Sequence, residues 1–488
     1  MKQLTGLDAS FLYMETATTF GHVSGLGIYQ RPTPDFDPLR AAHERFGALV
    51  GHAEPMRRRL VEVPLKLDHP YWVDDPNFDL DYHVRHIGLA PPGSSDQLAD
   101  AVARLVGRPM DRSRPLWEVY VIEGLADNRW AMLTKTHHAT IDGAAGVILL
   151  NMLLDTDPNA PVPETIEWIG EQPPSQATLL QQTLQKIASN PLRGMRVQLK
   201  LVRDFADAMG ITSVSRMASG ARDIIKSIAG QPSTQHTDNE RRVQLPISSA
   251  PDTPWNKTIT AHRRFAMRSA ALDDIKALKN ATGGTVNDVV MAICAGALRQ
   301  YLIELDALPE KPLRAMVPVS IRTGDETDPW TNRVSSIVAD LPTNCADPLE
   351  RVAKCKEAMA AAKRQFELVP ANALSDVAQT SSPVVAMAAM RLVSRMAGRI
   401  NLPTNLTISN VPGPRQPLYF AGAQLDSYIP VSIVTDGMGL NITVHSYLDR
   451  LEFGIIAARE LVPDVGHLAD LHVEEIDRLK AATSQGTT

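Results

Sequence analysis

Strand-like and helix-like segments alternate at both ends of this 488-residue chain, whereas the segment between them has a different composition. Apolar residues recur with a period of two, as in a half-buried strand, or of about 3.6, as in an amphipathic helix. These patterns fill residues 1–160 and begin again at about residue 258. They predict a mixed α/β fold with two lobes of similar size, and a relationship between the two lobes is a hypothesis at this point.

The predicted elements follow from these periods and from the Gly, Pro, Asn and Asp residues that punctuate them. In the first region they are a strand at His22–Tyr29, helices at Pro38–Val50 and Gln97–Val106, and a hairpin of Leu116–Ile122 with Trp130–Lys135. In the second region they are a strand at Ile259–Phe265, helices at Ala271–Lys279 and Thr285–Leu305, and strands at Val317–Ile321, Ser335–Leu341, Thr404–Ser409, Leu440–Tyr447 and Leu451–Ile456.

The middle of the chain predicts a helical linker with a local positive charge. Residues 158–174 are rich in Pro and Glu and have no sustained period, which is typical of a boundary. In Lys186–Lys226, eight Lys or Arg stand against three Asp, a net charge of +5. One apolar helical stripe runs through it, formed by Met195, Leu199, Val202, Phe205 and Met209. Such a helix suits either an anionic membrane surface or packing against both lobes. The sequence therefore predicts a first lobe at residues 1–165, the helical linker at 166–252 and a second lobe at 253–488.

Composition excludes several classes of protein. With 49 Lys and Arg against 55 Asp and Glu, the net charge is −6, so no overall positive field attracts nucleic acid. Three cysteines without a Cys-x-x-Cys spacing predict a reducing compartment, such as the cytoplasm, and no structural zinc. The longest apolar runs, of about 10 to 12 residues, are shorter than the roughly 20 needed to span a bilayer. The N-terminus has no apolar run typical of a secretion signal, so we expect no export.

The sequence HHATIDG offers the clearest candidate for chemistry. It contains His137, His138, Asp142 and Gly143, and it lies between a predicted strand and an apolar helical run. Side chains at such strand ends project into clefts, and we expect Gly143 to allow a tight turn. Imidazole is the side chain best suited to taking a proton from an alcohol near neutral pH. A structural role for both histidines, and a helix cap for Asp142, are the alternatives.

Other chemistries lack their motifs. There is no His-Glu-x-x-His zinc motif, and adjacent histidines rarely bind one metal. The segment Gly21–Gly25 has the spacing of a nucleophile elbow, but Val23 stands where the serine is needed. Neither a phosphate-binding GxxxxGK[ST] loop nor a GxGxxG turn is present, so we expect no nucleotide cofactor and no metal.

HHATIDG resembles the HHxxxDG signature of the bacterial wax ester synthase/diacylglycerol acyltransferase family, within the larger group of chloramphenicol acetyltransferase-like proteins. Further segments resemble the other blocks of that family, in the same order along the chain. They are LDASFL (Leu7–Leu12), PLWE (Pro115–Glu118), VNDVV (Val286–Val290), VPVSIR (Val317–Arg322), NRVS (Asn332–Ser335) and SNVPGP (Ser409–Pro414). Seven blocks in order over nearly the whole chain make a chance match improbable.

The resemblance implies two chloramphenicol acetyltransferase-like lobes with mixed sheets and an active-site tunnel between them. It implies acyl-CoA as a substrate rather than a cofactor, and diacylglycerol or a long-chain alcohol as the acceptor. His138 is then the general base, and His137 shapes the loop. Asp142 is expected to pair with Arg322 in a structural role.

Three further points follow from the resemblance. Asn287 and Asp288 are expected either to face the tunnel or to cap a helix. The plant branch of the larger group has a DFGWG block near the C-terminus, and this chain has GMGLNITVHSY instead. There Asn441, Thr443 and His445 share one strand face, so they line the tunnel or bond across the lobes.

Two other functions remain open on this evidence. One is a condensation-type or specialised acyltransferase with another alcohol or an amine as acceptor, because the HHxxxDG signature is widespread. The other is a lipid-binding relative that has lost catalysis. For the leading function we expect a cytoplasmic protein that contacts a membrane or a lipid droplet through Lys186–Lys226.

Overall fold

The computed structural model describes residues 1–189, 249–322, 328–367, 383–399 and 402–485. Within these residues the helices are α1 (Gly6–Tyr13), α2 (Pro38–His52), α3 (Glu54–Arg57), α4 (Leu80–His83), α5 (Ser95–Val106), α6 (Gly143–Leu153), α7 (Gln176–Ser189), α8 (Leu272–Thr282), α9 (Val286–Glu304), α10 (Pro348–Glu367), α11 (Pro383–Met396) and α12 (Val465–Gln485). The strands are β1 (Lys2–Gln3), β2 (His22–Gln30), β3 (Arg58–Val61), β4 (Tyr71–Asp74), β5 (Val84–Gly88), β6 (Trp117–Glu123), β7 (Arg129–His137), β8 (Arg263–Ala271), β9 (Leu313–Ser320), β10 (Val334–Leu341), β11 (Leu406–Val411), β12 (Tyr419–Phe420), β13 (Ala423–Val431), β14 (Leu440–Tyr447) and β15 (Arg450–Ala458).

The first lobe is built on a six-stranded sheet with the order β12-β13-β2-β7-β6-β5. Its centre is the predicted hairpin, β6 with β7, whose strands are rich in β-branched and aromatic residues and almost entirely buried. Helix α2 packs on one face of this sheet and α5 on the other, so both faces are apolar. A small sheet of β1, β4 and β3 lies beside it. The hairpin predicted from the sequence is confirmed.

The second lobe has a six-stranded sheet with the order β10-β9-β11-β14-β15-β8. Strand β11 runs parallel to β9 and β14, and the other pairs are antiparallel, so the sheet is mixed. The strand predicted at 259–265 begins later, at Arg263. The backbone N–H groups of Ile259 and Thr260 donate to the carboxylates of Asp436 and Glu460 instead of to a neighbouring strand.

One strand connects the two lobes. Strand β13 comes after most of the second sheet in the sequence, yet it pairs with β2 along Ser24–Tyr29 in the first sheet. Gly454 of the second sheet lies directly against it, because a Cβ atom at Gly454 would come within 1.8 Å of the Pro430 carbonyl oxygen. The chain therefore returns from the second lobe to complete the first.

Helix α9 forms the centre of the second lobe. It has 19 residues, and by length and mean hydropathy alone it is long and apolar enough to cross a bilayer. It lies instead in a shared core with α8, α10, α12 and the second sheet, and 72% of its most apolar window is buried. Its apolar sequence is therefore that of a core helix.

The predicted linker falls mainly outside the described residues. Of Lys186–Lys226, the structure describes only the first four residues, in α7, and the Lys186 side chain pairs with Asp68 at 2.7 Å. The apolar stripe from Met195 to Met209 lies outside the described residues. The divisions 1–165, 166–252 and 253–488 stay a prediction.

Candidate active site

The HHATIDG loop lies where the central strand of the first lobe ends. Strand β7 ends at His137, which is paired with His22 of β2, and α6 begins at Gly143. The backbone N–H of His138 donates to the Gly21 carbonyl at 2.8 Å, so the loop is held beside the start of β2. The sheet therefore fixes the position of the His138 backbone.

The His138 ring is held by one residue from each lobe. Phe11 of α1 stacks on it, with ring centroids 4.1 Å apart and planes 11° from parallel. The ring Nδ1 lies 3.0 Å from the side-chain oxygen of Asn332, which stands just before β10. The Asn332 amide nitrogen donates to the Asp8 carboxylate and to the His138 carbonyl, both at 2.7 Å. Because both of those partners accept, the amide oxygen faces the ring.

This arrangement selects one tautomer of His138. An amide oxygen only accepts hydrogen bonds, so Nδ1 must carry the hydrogen and Nε2 must carry the lone pair. Among the described residues, none hydrogen-bonds Nε2, and His138 is only partly buried. Desolvation lowers the pKa of His138 below 6.5, against the opposing effects of Asn332 and Asp142. The ring is therefore neutral at neutral pH, with Nε2 able to accept a proton.

His137 has the opposite surroundings. Its side chain is 1% exposed, its Nδ1 accepts from the backbone N–H of Ala139 at 3.0 Å, and its Nε2 lies 3.1 Å from a carboxylate oxygen of Glu15. Burial would raise the pKa of Glu15, but His137, the N–H of Gly21 and Arg112 lower it to about 2. Both ring nitrogens of His137 face protein groups, which fits a structural role.

Asp142 is buried and surrounded by donors. It caps α6 by accepting from the N–H of Ala145 at 2.9 Å. It also pairs with Arg322 at 2.8 Å and accepts from the backbone N–H of Arg333 at 2.8 Å. The expected contact with Arg322 and the alternative helix cap are therefore both present. Gly143 has no positive φ and has open space where a Cβ would stand, so neither its backbone nor its surroundings require glycine at this position.

Asn287 and Asp288 lie in the first turn of α9. Asp288 is buried and forms a capping box, because its carboxylate accepts from the N–H of Thr285 at 2.8 Å while its own N–H donates to the Thr285 hydroxyl. Asn287 is partly exposed. In the part of the chain that the structure describes, no hydrogen bond or ion pair joins either residue to the HHATIDG loop.

The polar face of β14, formed by Asn441, Thr443 and His445, contacts residues in and just after β13. Asn441 donates to the Ile433 carbonyl at 2.9 Å and accepts from the Thr443 hydroxyl at 2.9 Å. The His445 ring meets Tyr428 of β13 edge to face, 5.1 Å between centroids, and burial lowers the pKa of His445 to about 4. Of these contacts, the one between His445 and Tyr428 reaches a strand of the first sheet, and the choice between lining a tunnel and bonding across the lobes stays a prediction.

Asp8, Phe11, Glu15 and Asn332 were not predicted as site residues. Asp8, Phe11 and Asn332 lie within the blocks LDASFL and NRVS, so those blocks were the available signal, but nothing in the sequence tells which of their side chains meet His138. The described residues contain no group of three His, Cys, Asp or Glu side chains that is placed to hold a metal ion.

Comparisons with known proteins show which family the whole chain is similar to. Residues 4–290 match the family model of the wax ester synthase/diacylglycerol acyltransferase catalytic domain, and residues 330–480 match that of its C-terminal domain. A Mycobacterium tuberculosis protein provisionally named a diacylglycerol O-acyltransferase is 35% identical over 482 residues, 98% of this chain and 90% of that one. O-acyltransferase WSD of Acinetobacter baylyi is 35% identical over 97% of this chain and 96% of its own.

Solved structures show the same fold. The wax ester synthase/diacylglycerol acyltransferase from Marinobacter aquaeolei VT8 superposes with a TM-score of 0.69 and 30% identity, covering 99% of this chain and 100% of that one. The starter condensation domain of rhizomide synthetase superposes with a TM-score of 0.54 and 12% identity, over 99% of this chain and 94% of that domain, which bears on the fold alone. The predicted two-lobed α/β fold with mixed sheets is confirmed.

Proposed function

Because this chain belongs to the wax ester synthase/diacylglycerol acyltransferase family and is an O-acyltransferase, we propose that it joins a fatty acyl group from acyl-CoA to a lipid hydroxyl with His138 as the general base. The family reaction needs acyl-CoA and an alcohol or diacylglycerol acceptor. The observation that carries the proposal for His138 is its tautomer, which leaves the Nε2 lone pair without a protein partner among the described residues.

The proposed reaction begins with proton transfer to Nε2. The acceptor hydroxyl donates to Nε2, and its oxygen attacks the thioester carbonyl carbon as the proton moves to the ring. The carbonyl oxygen becomes an oxyanion in a tetrahedral intermediate. The carbon–sulfur bond then breaks, the ester is released, and the proton on Nε2 passes to the CoA sulfur. Atoms and charges balance without an acyl-enzyme.

We assign Asn287 as the donor to the oxyanion. Its amide is a hydrogen-bond donor in a partly exposed position, whereas the neighbouring Asp288 is occupied by the helix cap. Loss of one such donor costs about 10²- to 10³-fold in kcat. We expect Asn287→Ala to lower kcat at unchanged stability, and Asp288→Ala to lower stability instead. An Asn287→Ala variant with full kcat contradicts the assignment.

Asp142 and Arg322 have a structural role in this proposal. Both carboxylate oxygens of Asp142 already accept hydrogen bonds, from Ala145 and Arg322 at one and from Arg333 at the other. The pair joins the start of α6 to the second lobe, and so supports the loop that carries His138.

Release of CoA thiol tests the function directly. The purified protein is incubated with palmitoyl-CoA alone, with dioleoylglycerol, with hexadecanol and with an amine acceptor. We expect release to depend on at least one of the two hydroxyl acceptors and to be lost in His138→Ala while palmitoyl-CoA still binds. Release that depends on the amine alone indicates a condensation-type enzyme, and binding without any release indicates a non-catalytic relative.

We further propose that the protein works at the cytoplasmic surface of a membrane or lipid droplet. Support comes from the +5 charge and apolar stripe of Lys186–Lys226, and from three cysteines that are all buried and unpaired. Flotation with vesicles of phosphatidylcholine and anionic phosphatidylglycerol tests the contact. We expect binding that weakens as salt is raised, and no binding at low salt contradicts it.

A further inference from the structure

We infer that Asp8 and Asn332 are positioning residues for the reaction, acting as an inter-lobe relay from the Asp8 carboxylate through the Asn332 amide to Nδ1 of His138. The relay joins α1 of the first lobe, the segment just before β10 in the second lobe and the HHATIDG loop. This inference rests on the proposed function, because it assigns a partner to the ring that acts as the base.

Both polar atoms of the Asn332 side chain are hydrogen-bonded. It is 2% exposed, and its amide nitrogen donates to Asp8 Oδ1 and to the His138 carbonyl, both at 2.7 Å. Its backbone N–H donates to the same Asp8 oxygen at 3.1 Å. With the amide nitrogen fixed in this way, its oxygen can only face His138. The Asp8 carboxylate therefore sets the orientation of the amide, and the amide sets the tautomer of the ring.

Asp8 also brings a buried negative charge to the relay, besides orienting the amide. The residue is 5% exposed, and no ion pair neutralises its carboxylate among the described residues. Its other oxygen accepts from the Thr5 hydroxyl at 2.6 Å. Burial raises the pKa of Asp8, and the hydrogen bonds from Thr5 and Asn332 oppose that effect. A buried carboxylate is costly unless it is well bonded, and this one accepts from the Thr5 hydroxyl and from both the side-chain amide and the backbone N–H of Asn332.

The relay stabilises the charge that forms during the reaction. When Nε2 takes the hydroxyl proton, the ring becomes a cation, and the Nδ1 proton stays in its bond to the Asn332 oxygen. The Asp8 carboxylate polarises that amide and so favours the cation, while no proton moves to Asn332 or Asp8. The other charged groups near the ring are Asp142, which favours the cation, and His137, which opposes it when protonated. Both belong to the same loop as His138, whereas Asn332 reaches the ring from the second lobe.

Two substitutions and their combination test the relay. Asp8→Asn keeps the shape and an oxygen acceptor but removes the charge, and we expect kcat about tenfold lower with KM for palmitoyl-CoA unchanged. Asn332→Ala removes the bond to Nδ1, and we expect kcat lower by about 10²-fold. Because Asp8 acts through Asn332, the double variant should be no slower than Asn332→Ala alone. Effects that multiply to about 10³-fold would overturn the relay.

The pH dependence of kcat distinguishes a positioning role of Asp8 from a role in stability alone. Loss of the Asp8 charge disfavours the cationic ring, so the acidic limb of the kcat profile in Asp8→Asn should move to lower pH. The matched control is Asp37→Asn, which changes the same group in the exposed cap of α2, and its acidic limb should stay in place. A lower melting temperature in Asp8→Asn with an unmoved limb overturns the relay. If Asp8→Asn does not fold, the split between kcat and KM in Asn332→Ala carries the test.

The relay and the proposed function fail in different ways. If His138→Ala keeps full turnover, His138 is not the general base, and the proposed function fails together with the relay. An inactive His138→Ala together with wild-type kcat in Asp8→Asn and Asn332→Ala leaves the function in place and overturns the relay alone.

Discussion

His137 and His138 are adjacent and chemically identical, but the fold gives them opposite surroundings. His137 is buried between the N–H of Ala139 and the carboxylate of Glu15. His138 is held by Asn332 at one nitrogen and presents the other without a partner among the described residues. The difference shows that the role of each imidazole comes from its hydrogen-bond partners, since the motif alone makes the two equal.

The largest expected difference between the two histidines is in turnover. General-base catalysis contributes typically about 10²- to 10⁴-fold, so His138→Ala should lower kcat by that factor. His137→Ala should lower the activity of the folded fraction by less than about tenfold, because the loop loses support but keeps its base. Stopped assays of thiol release, normalised to folded protein by circular dichroism, make the comparison. Equal losses in the two variants would remove the distinction.

The ion pair of buried Asp142 with partly buried Arg322 should affect stability more than either histidine ring does. Arg322→Met leaves the Asp142 carboxylate buried without its cation, and removing one partner of a buried pair typically costs about 3–5 kcal/mol of unfolding free energy. Urea unfolding measures the change. The control is Arg415→Met, an exposed position where less than about 0.5 kcal/mol is expected. A similar small change in Arg322→Met would show that the pair is not a structural anchor.

The carboxylate beside His137 should make stability depend on pH. The pKa of Glu15 is lowered from 4.5 to about 2 in the folded protein, so its contribution is complete above pH 4.5 and is lost as the pH falls toward 2. A shift of this size corresponds to about 3 kcal/mol. The difference in unfolding free energy between wild type and Glu15→Gln should therefore narrow on acidification. A difference that stays constant below pH 4.5 contradicts this role for Glu15.

The smallest expected effect is on the pH profile of the wild-type enzyme. Desolvation lowers the pKa of His138 below 6.5, so the neutral base persists to lower pH than a free imidazole does. The acidic limb of kcat/KM should consequently have its midpoint below 6.5, and activity should fall as the pH drops through it. A midpoint above 6.5 would mean that the ring is stabilised as a cation in the free enzyme.

Turn residues and helix caps in the sequence correctly predicted the secondary-structure elements whose ends depend on neighbouring residues. The hairpin of β6 and β7 has clear turn residues, and α9 begins at a Thr-x-x-Asp capping box, so both were found close to their true limits. The ion pair of Asp142 with Arg322 was reached through family resemblance, because 180 residues separate the partners. The start of β8 was misplaced, because side chains distant in sequence bind the backbone of Ile259 and Thr260.

The contacts that select the base could not be predicted in this way. Asn332 and Asp8 are 324 residues apart, and each has an ordinary local role, one before a strand and one in the first turn of a helix. Nothing in their immediate neighbours indicates that they meet. The pairing of β13 with β2 has the same origin, since a period of two identifies a strand but not the sheet that it joins.

The pairing of β13 with β2 determines when the first sheet can be completed during synthesis of the chain. On the ribosome, β2 emerges early, but the strand that covers its free side lies about 400 residues further along the chain. Until residue 431 has been made, the first sheet presents an open edge of unpaired N–H and C=O groups, which is a template for aggregation. A fragment that stops before β13 should therefore need a chaperone or precipitate, however complete its catalytic motif.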